Sequence, residues 1–250
     1  MRRALFIVHE ADAPPGYIGE AAQARGFAVD RADVWKRDLR QRGSASEPAG
    51  GDFRERASAS EPAAGHFPDP AAHDLIVPLG SAESAYDDDV PWLAHELDFL
   101  RRTARAGTAV FGICFGAQVL ARALGGSVRP AARPEVGWFM IDSDADGDIA
   151  PGPWLEWHFD TITPPTGAQT LARSPGGVQA YQHGRHLGVQ FHPEVSPDIL
   201  AAWIANSSQQ LDQLGVDADA FQRETRRRAR QARSAAYHLF DRVMARLGLT

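Results

Sequence analysis

Thr108-Ala109-Val110-Phe111-Gly112-Ile113-Cys114-Phe115-Gly116-Ala117-Gln118 is the stretch that decides how this chain folds. An apolar run ends in Gly-x-Cys-x-Gly and opens into an Ala/Leu-rich pattern. That order reads as a strand, a sharp turn and a helix, a geometry that exposes the thiol. Cys114 is the only cysteine in the chain. The thiolate is the reactive form, and a helix N-terminus with a nearby imidazolium lowers a thiol's pKa from ~8.5 into the range ~3.5 to 7.5. Downstream, Gln190-Phe191-His192-Pro193-Glu194 offers an imidazole, and a carboxylate two residues later. Residues two apart on an extended segment project from the same face, so Glu194 can turn back toward the His192 ring.

Outward from this stretch, the alternation of elements sets the architecture. Ala4 to Val8 predicts a short buried strand, followed by the turn-forming Ala13-Pro14-Pro15-Gly16 and a helix through Ile18 to Arg25 that closes at Gly26. Phe27 to Val34 and Asp74 to Leu79 predict two more strands. Val90 to Ala106, with Leu93, Leu97 and Leu100 on one stripe, predicts the helix that leads into the cysteine strand. Strands alternating with helices imply an open, mostly parallel sheet in a three-layer α/β domain. After a helix ending near Gly125-Gly126, the stretch Ser127 to Val189 alternates apolar residues between turns and predicts short antiparallel strands, a small β insertion. Helical spacing returns at Pro197, with Ile199, Leu200, Trp203 and Ile204, and again from about Asp219 to Leu247.

The expected organisation is one domain over 1–196 and a helical extension over 197–250 packed on it. A near-duplicate, Ser44-Ala45-Ser46-Glu47-Pro48-Ala49 and Ser58-Ala59-Ser60-Glu61-Pro62-Ala63, marks about 40–70 as a flexible insertion, because its Ser/Ala/Pro/Gly content buries too little apolar surface to offset ordering entropy. Two copies are too few for a solenoid.

Composition narrows the function. At 250 residues and 44% hydrophobic content the chain can bury a sizeable core. A formal charge of -6 argues against nucleic acid as a partner, since neutralising phosphates needs a basic face. The run Arg226-Arg227-Arg228-Ala229-Arg230 reads as a solvated helix face. A single cysteine excludes an intrachain disulfide, which fits a reducing cytoplasm. No stretch reaches the ~20 apolar residues of a membrane-spanning helix, so no membrane partner is expected.

The two motifs together resemble the class I glutamine amidotransferases, whose glutaminase domains carry a Gly-x-Cys-x-Gly-x-Gln elbow and a downstream His-Pro-Glu. The resemblance extends to Leu79-Gly80-Ser81, Ser84-Ala85-Tyr86-Asp87, Pro134-Glu135-Val136-Gly137-Trp138 and Trp157-His158-Phe159-Asp160, and is closest to stand-alone relatives of the GMP synthase glutaminase domain. It implies a flavodoxin-like sheet and a Cys114-His192-Glu194 triad acting on the γ-amide of L-glutamine through a thioester. It also implies an oxyanion hole from the backbone of Phe115 and Gly80, and substrate contacts at Gln118, His158, Phe159 and Asp160. No cofactor and no metal are implied. Since no ATP-binding motif is present, a separate synthetase partner would receive the ammonia.

The chain departs from the family's pattern at two places. Leu79-Gly80-Ser81 stands where Gly-Gly-Pro is usual, and a missing oxyanion donor costs ~10²- to 10³-fold in turnover. Phe159 replaces a glycine beside the substrate. Three other readings stand beside the main one. A γ-glutamyl hydrolase acting on a γ-linked peptide or conjugate is suggested by Phe159, and a non-catalytic regulatory subunit would keep the fold alone. A metal site of His158, Asp160, His192 and Glu194 would leave Cys114 without a role.

Overall fold

The computed structural model describes residues 1–34, 67–144 and 147–250. Its centre is an eight-stranded sheet in the order β2-β1-β3-β4-β10-β9-β8-β6. Strands β1 (Arg3–Val8), β2 (Ala28–Asp33), β3 (Leu75–Pro78) and β4 (Ala109–Ile113) run parallel, and β10 (His186–Val189) joins β4 in the same direction. β9 (Gly177–His183), β8 (Gln169–Ser174) and the two-residue β6 (Asp142–Ser143) continue the sheet antiparallel.

Both faces of the parallel half are covered, which is why β1, β3 and β4 are almost continuously apolar, whereas the edge strand β2 carries Asp30, Arg31 and Asp33. Side chains alternate across the pleat. Ala4, Phe6 and Val8 enter one core with Ile18 and Ala21 of α1 (Gly16–Ala24) and with Leu239, Phe240, Val243 and Met244 of α6 (Ala218–Arg246). Leu5 and Ile7 enter the other, against Leu97 and Leu100 of α2 (Leu93–Ala106) and Val119 and Leu120 of α3 (Phe115–Ala123). The C-terminal tail therefore packs on its own domain through α6. The arginine run on α6 behaves as expected, with Arg226, Arg227 and Arg230 exposed and Arg228 paired to Glu224 at 2.7 Å.

The stretch from Ser127 departs from expectation. It forms long strands, β5 (Ser127–Phe139) and β7 (Trp154–Thr163), paired antiparallel as a separate two-stranded arm. The strands after them belong to the central sheet. Pro130 and Pro134 sit near the start and in the interior of β5, where the register shifts between Pro130 and Glu135. Such a bulge lets proline stay in a strand without breaking a ladder.

The expected insertion at about 40–70 falls mainly outside the described residues. Its described end is packed: Phe67 is buried and stacks on Phe99 with ring centroids 4.6 Å apart. After β10 come α4 (Pro197–Asn206), started by Pro197 and capped by Ser196, and the short α5 (Ser208–Leu214). Among the described residues no helix is long and apolar enough to cross a membrane.

Candidate active site

The cysteine lies at the carboxyl end of the parallel sheet, where open α/β folds collect their functional loops. Cys114 stands between β4 and α3 with φ 51 and ψ -111, the one positive-φ non-glycine residue among the described residues. A side chain held there costs backbone strain, which the surroundings must impose. They do so through the two flanking glycines. A Cβ on Gly112 would lie 2.6 Å from the Gly116 carbonyl oxygen, and one on Gly116 would overlap the Pro78 carbonyl. The Cys114 N-H donates to Val189 O at 2.8 Å, and Gly116 N-H to Leu79 O at 2.9 Å. These bonds tie the turn to β10 on one side and to the end of β3 on the other.

His192 reaches the same point from beyond β10. Its N-H donates to Leu155 O at 2.8 Å, and its Nδ1 bonds Glu194 Oε1 at 2.7 Å. All three side chains are buried, and the His192 ring and the Cys114 side chain both border Gly80. Burial alone would lower the His192 pKa, but the Cys114 and Glu194 charges and hydrogen bonds together hold it well above its usual value. Glu194 is fixed by its backbone too, since its carbonyl accepts from Tyr17 N-H at 2.9 Å. Gly16, at φ 47, leaves the room this needs, because a Cβ there would overlap that carbonyl.

Gly80 sits between these groups. A Cβ on it would lie 3.1 Å from His192 Cε1 and 4.0 Å from Cys114 Cβ. Within the first turn of α3, Gly116 N-H binds Leu79 and the N-H groups of Ala117 and Gln118 bind the Cys114 carbonyl. The Phe115 N-H is left for an incoming oxygen, as first-turn donors commonly are.

The expected substrate contacts are spread differently. Gln118 is buried and its Nε2 donates to Gln190 Oε1 at 3.2 Å, while Gln190 Nε2 donates to the Cys114 sulfur at 3.4 Å. Asp160 hydrogen-bonds Ser84 and Tyr86; burial raises its pKa, against the pull of those bonds. The His158 ring bonds Glu135 and the Asp160 carbonyl, and Phe159 is half-buried. The arm still touches the triad through its backbone, by Leu155 O to His192 and by Trp157 O, 3.9 Å from Cys114 Sγ. The four residues of the alternative metal reading are not gathered at one point: His192 bonds Glu194, whereas His158 bonds Glu135 and the Asp160 carbonyl.

Three neighbours have no role that the sequence alone assigns. Trp203 of α4 packs edge-on against His192, with ring centroids 4.8 Å apart. Gln190 lies two residues before His192, and that spacing is its available signal. His9 is buried: its Nδ1 donates to Gly80 O at 3.2 Å and its Nε2 meets Glu96 Oε2 at 2.9 Å. Its position just beyond β1, at the carboxyl edge of a parallel sheet, is the clue.

A cleft of about 280 Å³ opens beside His192, lined by Gly80, Ser81, Trp157, Trp203, Glu10 and Asp12 among others. Burial raises the Glu10 pKa, although the Ala82 N-H and the Ser81 hydroxyl bond its carboxylate. Chemically, the arrangement supplies a nucleophile, a base, an orienting carboxylate and a backbone donor beside them.

The glutamine amidotransferase class-I family profile matches residues 71–209. The chain belongs to that family and is an enzyme of the amidotransferase class. A glutamine-hydrolyzing GMP synthase of Thermomicrobium roseum is 38% identical over 129 residues, 48% of this chain and 23% of the relative. One subunit of the glutamine-hydrolyzing GMP synthase from Sulfurisphaera tokodaii is 35% identical over 112 residues, 41% of this chain and 58% of the relative. The chain thus spans less than two thirds of either relative's length. A solved glutamine amidotransferase from Thermotoga maritima shares the fold with a TM-score of 0.76 at 22% identity, covering 97% of each chain. One from Methylobacillus flagellatus does so with a TM-score of 0.75, also at 22% identity, over 98% of this chain and 95% of that one.

Proposed function

We propose that the protein hydrolyses the γ-amide of glutamine and delivers ammonia to a synthetase on a separate polypeptide. The observation that carries this reading is His192 bonded to Glu194 at 2.7 Å with Cys114 buried beside it, His192 Cε1 and Cys114 Cβ both flanking Gly80. Cys114 attacks the amide carbon, and the tetrahedral oxyanion falls to the N-H of Phe115 with that of Gly80 beside it. His192, charged by its two neighbours, gives its proton to the departing ammonia. It then takes one from the water that cleaves the thioester, while Glu194 holds the ring in place. The Sulfurisphaera relative is named as one subunit of a synthase, which supports a partner that uses the ammonia.

A second substrate class, γ-glutamyl amides carrying a larger leaving group, is favoured by one feature. The cleft of about 280 Å³ beside His192 is walled by Trp157 and Trp203, apolar surface that a larger leaving group would cover. Release of glutamate from glutamine and from γ-glutamyl amides, by the wild type and by Cys114→Ala, tests both. The reading expects release by the wild type and none above background by the variant. Equal rates in the two proteins would reject the mechanism, and turnover of the γ-glutamyl amides alone would make them the substrate.

A further inference from the structure

Away from the triad, the β5–β7 arm buries a second group of ionisable side chains. Glu135 and His158 face each other directly across the arm, and Glu156, two residues before His158, projects on the same face. Ligand atoms of these three residues lie within 4.8 Å of one another, and all three residues are buried. Against them packs the β8–β9 turn, through Ser174, Gly176 and Gln179. A Cβ on Gly176 would overlap the Glu135 carboxylate, so this approach is as close as the chain allows.

The protein groups alone do not satisfy this cluster. His158 Nδ1 lies 2.9 Å from the Asp160 carbonyl oxygen, which can only accept, so that nitrogen carries the proton. Its Nε2 then faces Glu135 Oε2 at 3.1 Å and Glu156 Oε2 at 3.5 Å. Neither oxygen of Glu156 has a hydrogen-bond partner, and nor does Gln179 Oε1. Glu156 is unsatisfied in both protonation states. Ionised, it is a buried charge beside a second carboxylate; neutral, its O-H has no acceptor at normal distance.

We propose that Glu135, Glu156 and His158 bind one divalent transition-metal cation of the zinc type, which clamps the β5–β7 arm to the β8–β9 turn. Zinc bound to nitrogen and oxygen at ~2.1 Å sets tetrahedral ligand edges of about 3.4 Å. The two edges from His158 Nε2, 3.1 and 3.5 Å, bracket that value. The remaining edge closes by a small rotation of Glu156, which no hydrogen bond restrains. A histidine ligand ordinarily donates its other nitrogen to a backbone carbonyl, as His158 does to Asp160, and ligating carboxylates are themselves hydrogen-bonded, as Glu135 is by Ser174, Gln179 and Gly176. Gln179 Oε1, or a water, would be the fourth ligand. Two carboxylates and a neutral imidazole balance the charge of the ion. Its role is structural: the triad contacts the arm through the Leu155 and Trp157 carbonyls, and the metal holds the strand that presents them.

The test is the metal content of protein purified without chelator or metal resin, incubated with zinc and then gel-filtered. About one zinc per chain is expected for the wild type and for Cys114→Ala. Glu156→Gln should bind zinc at least ~10-fold more weakly. Zinc K-edge absorption on the wild type should show nitrogen and oxygen neighbours and no sulfur, and this decides the matter if Glu156→Gln does not fold. A wild type that retains no zinc would overturn the proposal. So would a sulfur shell, loss of zinc in Cys114→Ala, or undiminished binding by Glu156→Gln. Because binding is read without turnover, a failure of the hydrolytic reading leaves this result standing.

Discussion

The parallel half of the sheet and the β5–β7 arm hold the same active site by opposite means. β1, β3 and β4 are all but fully buried, and their side chains feed two apolar cores. The elbow they support is set by steric exclusion, with glycines where no Cβ fits. The arm carries Glu135, Glu156 and His158 in its interior and reaches His192 and Cys114 through the Leu155 and Trp157 carbonyls. Packing is non-directional and tolerates little change in volume, whereas a polar cluster is directional and depends on every partner being present. The first half positions the nucleophile, and the second positions what surrounds it.

Changes to the two halves should therefore fail differently. The largest effect expected is at the elbow itself, where Cys114→Ala should lower glutamine or γ-glutamyl amide hydrolysis by ~10⁴-fold or more, as removal of a covalent nucleophile does. Melting temperature should change little. Next comes Gly116→Ala, whose new Cβ meets the Pro78 carbonyl. Denaturant unfolding should show a loss of about 4 kcal/mol, in the range diagnostic of a steric clash in a packed core. A loss under about 1 kcal/mol would mean that the elbow is softer than its packing suggests.

In the arm, Glu135→Ala removes the carboxylate that faces His158 and accepts from Ser174 and Gln179, and should cost about 3 kcal/mol. Turnover at saturating substrate should fall less than for Cys114→Ala. If the two variants lost activity equally, the separation of roles between the halves would be wrong.

The smallest effect is a pH dependence on β10, where the parallel strands meet the antiparallel β9. Burial and the neighbouring His183 and Arg185 charges lower the His186 pKa to about 4. The unfolded ring takes up its proton near its ordinary value of ~6.5, so this contribution to stability is complete above that pH and is lost as the pH falls toward 4. Allowing for relaxation around the charged ring, the loss should be about 1–2 kcal/mol. His186→Gln should flatten that part of the stability profile.

The same contrast explains what could be read in advance. The elbow was legible because its glycines, its cysteine and the apolar run before it are adjacent in the chain. The His192–Glu194 bond was legible because the two residues are two apart in the chain, although a turn rather than an extended segment brings them together. The arm was harder to read, because the pairing of Glu135 with His158 is a register between distant strands, and Pro130 and Pro134 fall inside a long strand. His158 and Asp160 read as substrate contacts, yet their side chains bond Glu135 in one case and Ser84 and Tyr86 in the other. Trp203 lies over His192 because α4 folds back across the cleft, and no local pattern in Pro197 to Asn206 encodes that.

The account rests most directly on Cys114 carrying the acyl group while His192 serves both half-reactions. Intact-mass analysis after incubation with substrate and acid quenching measures this. A glutamyl adduct on Cys114 is expected in the wild type, and none in Cys114→Ala. Glutamate release from Cys114→Ala at the wild-type rate, with no adduct in either protein, would contradict it.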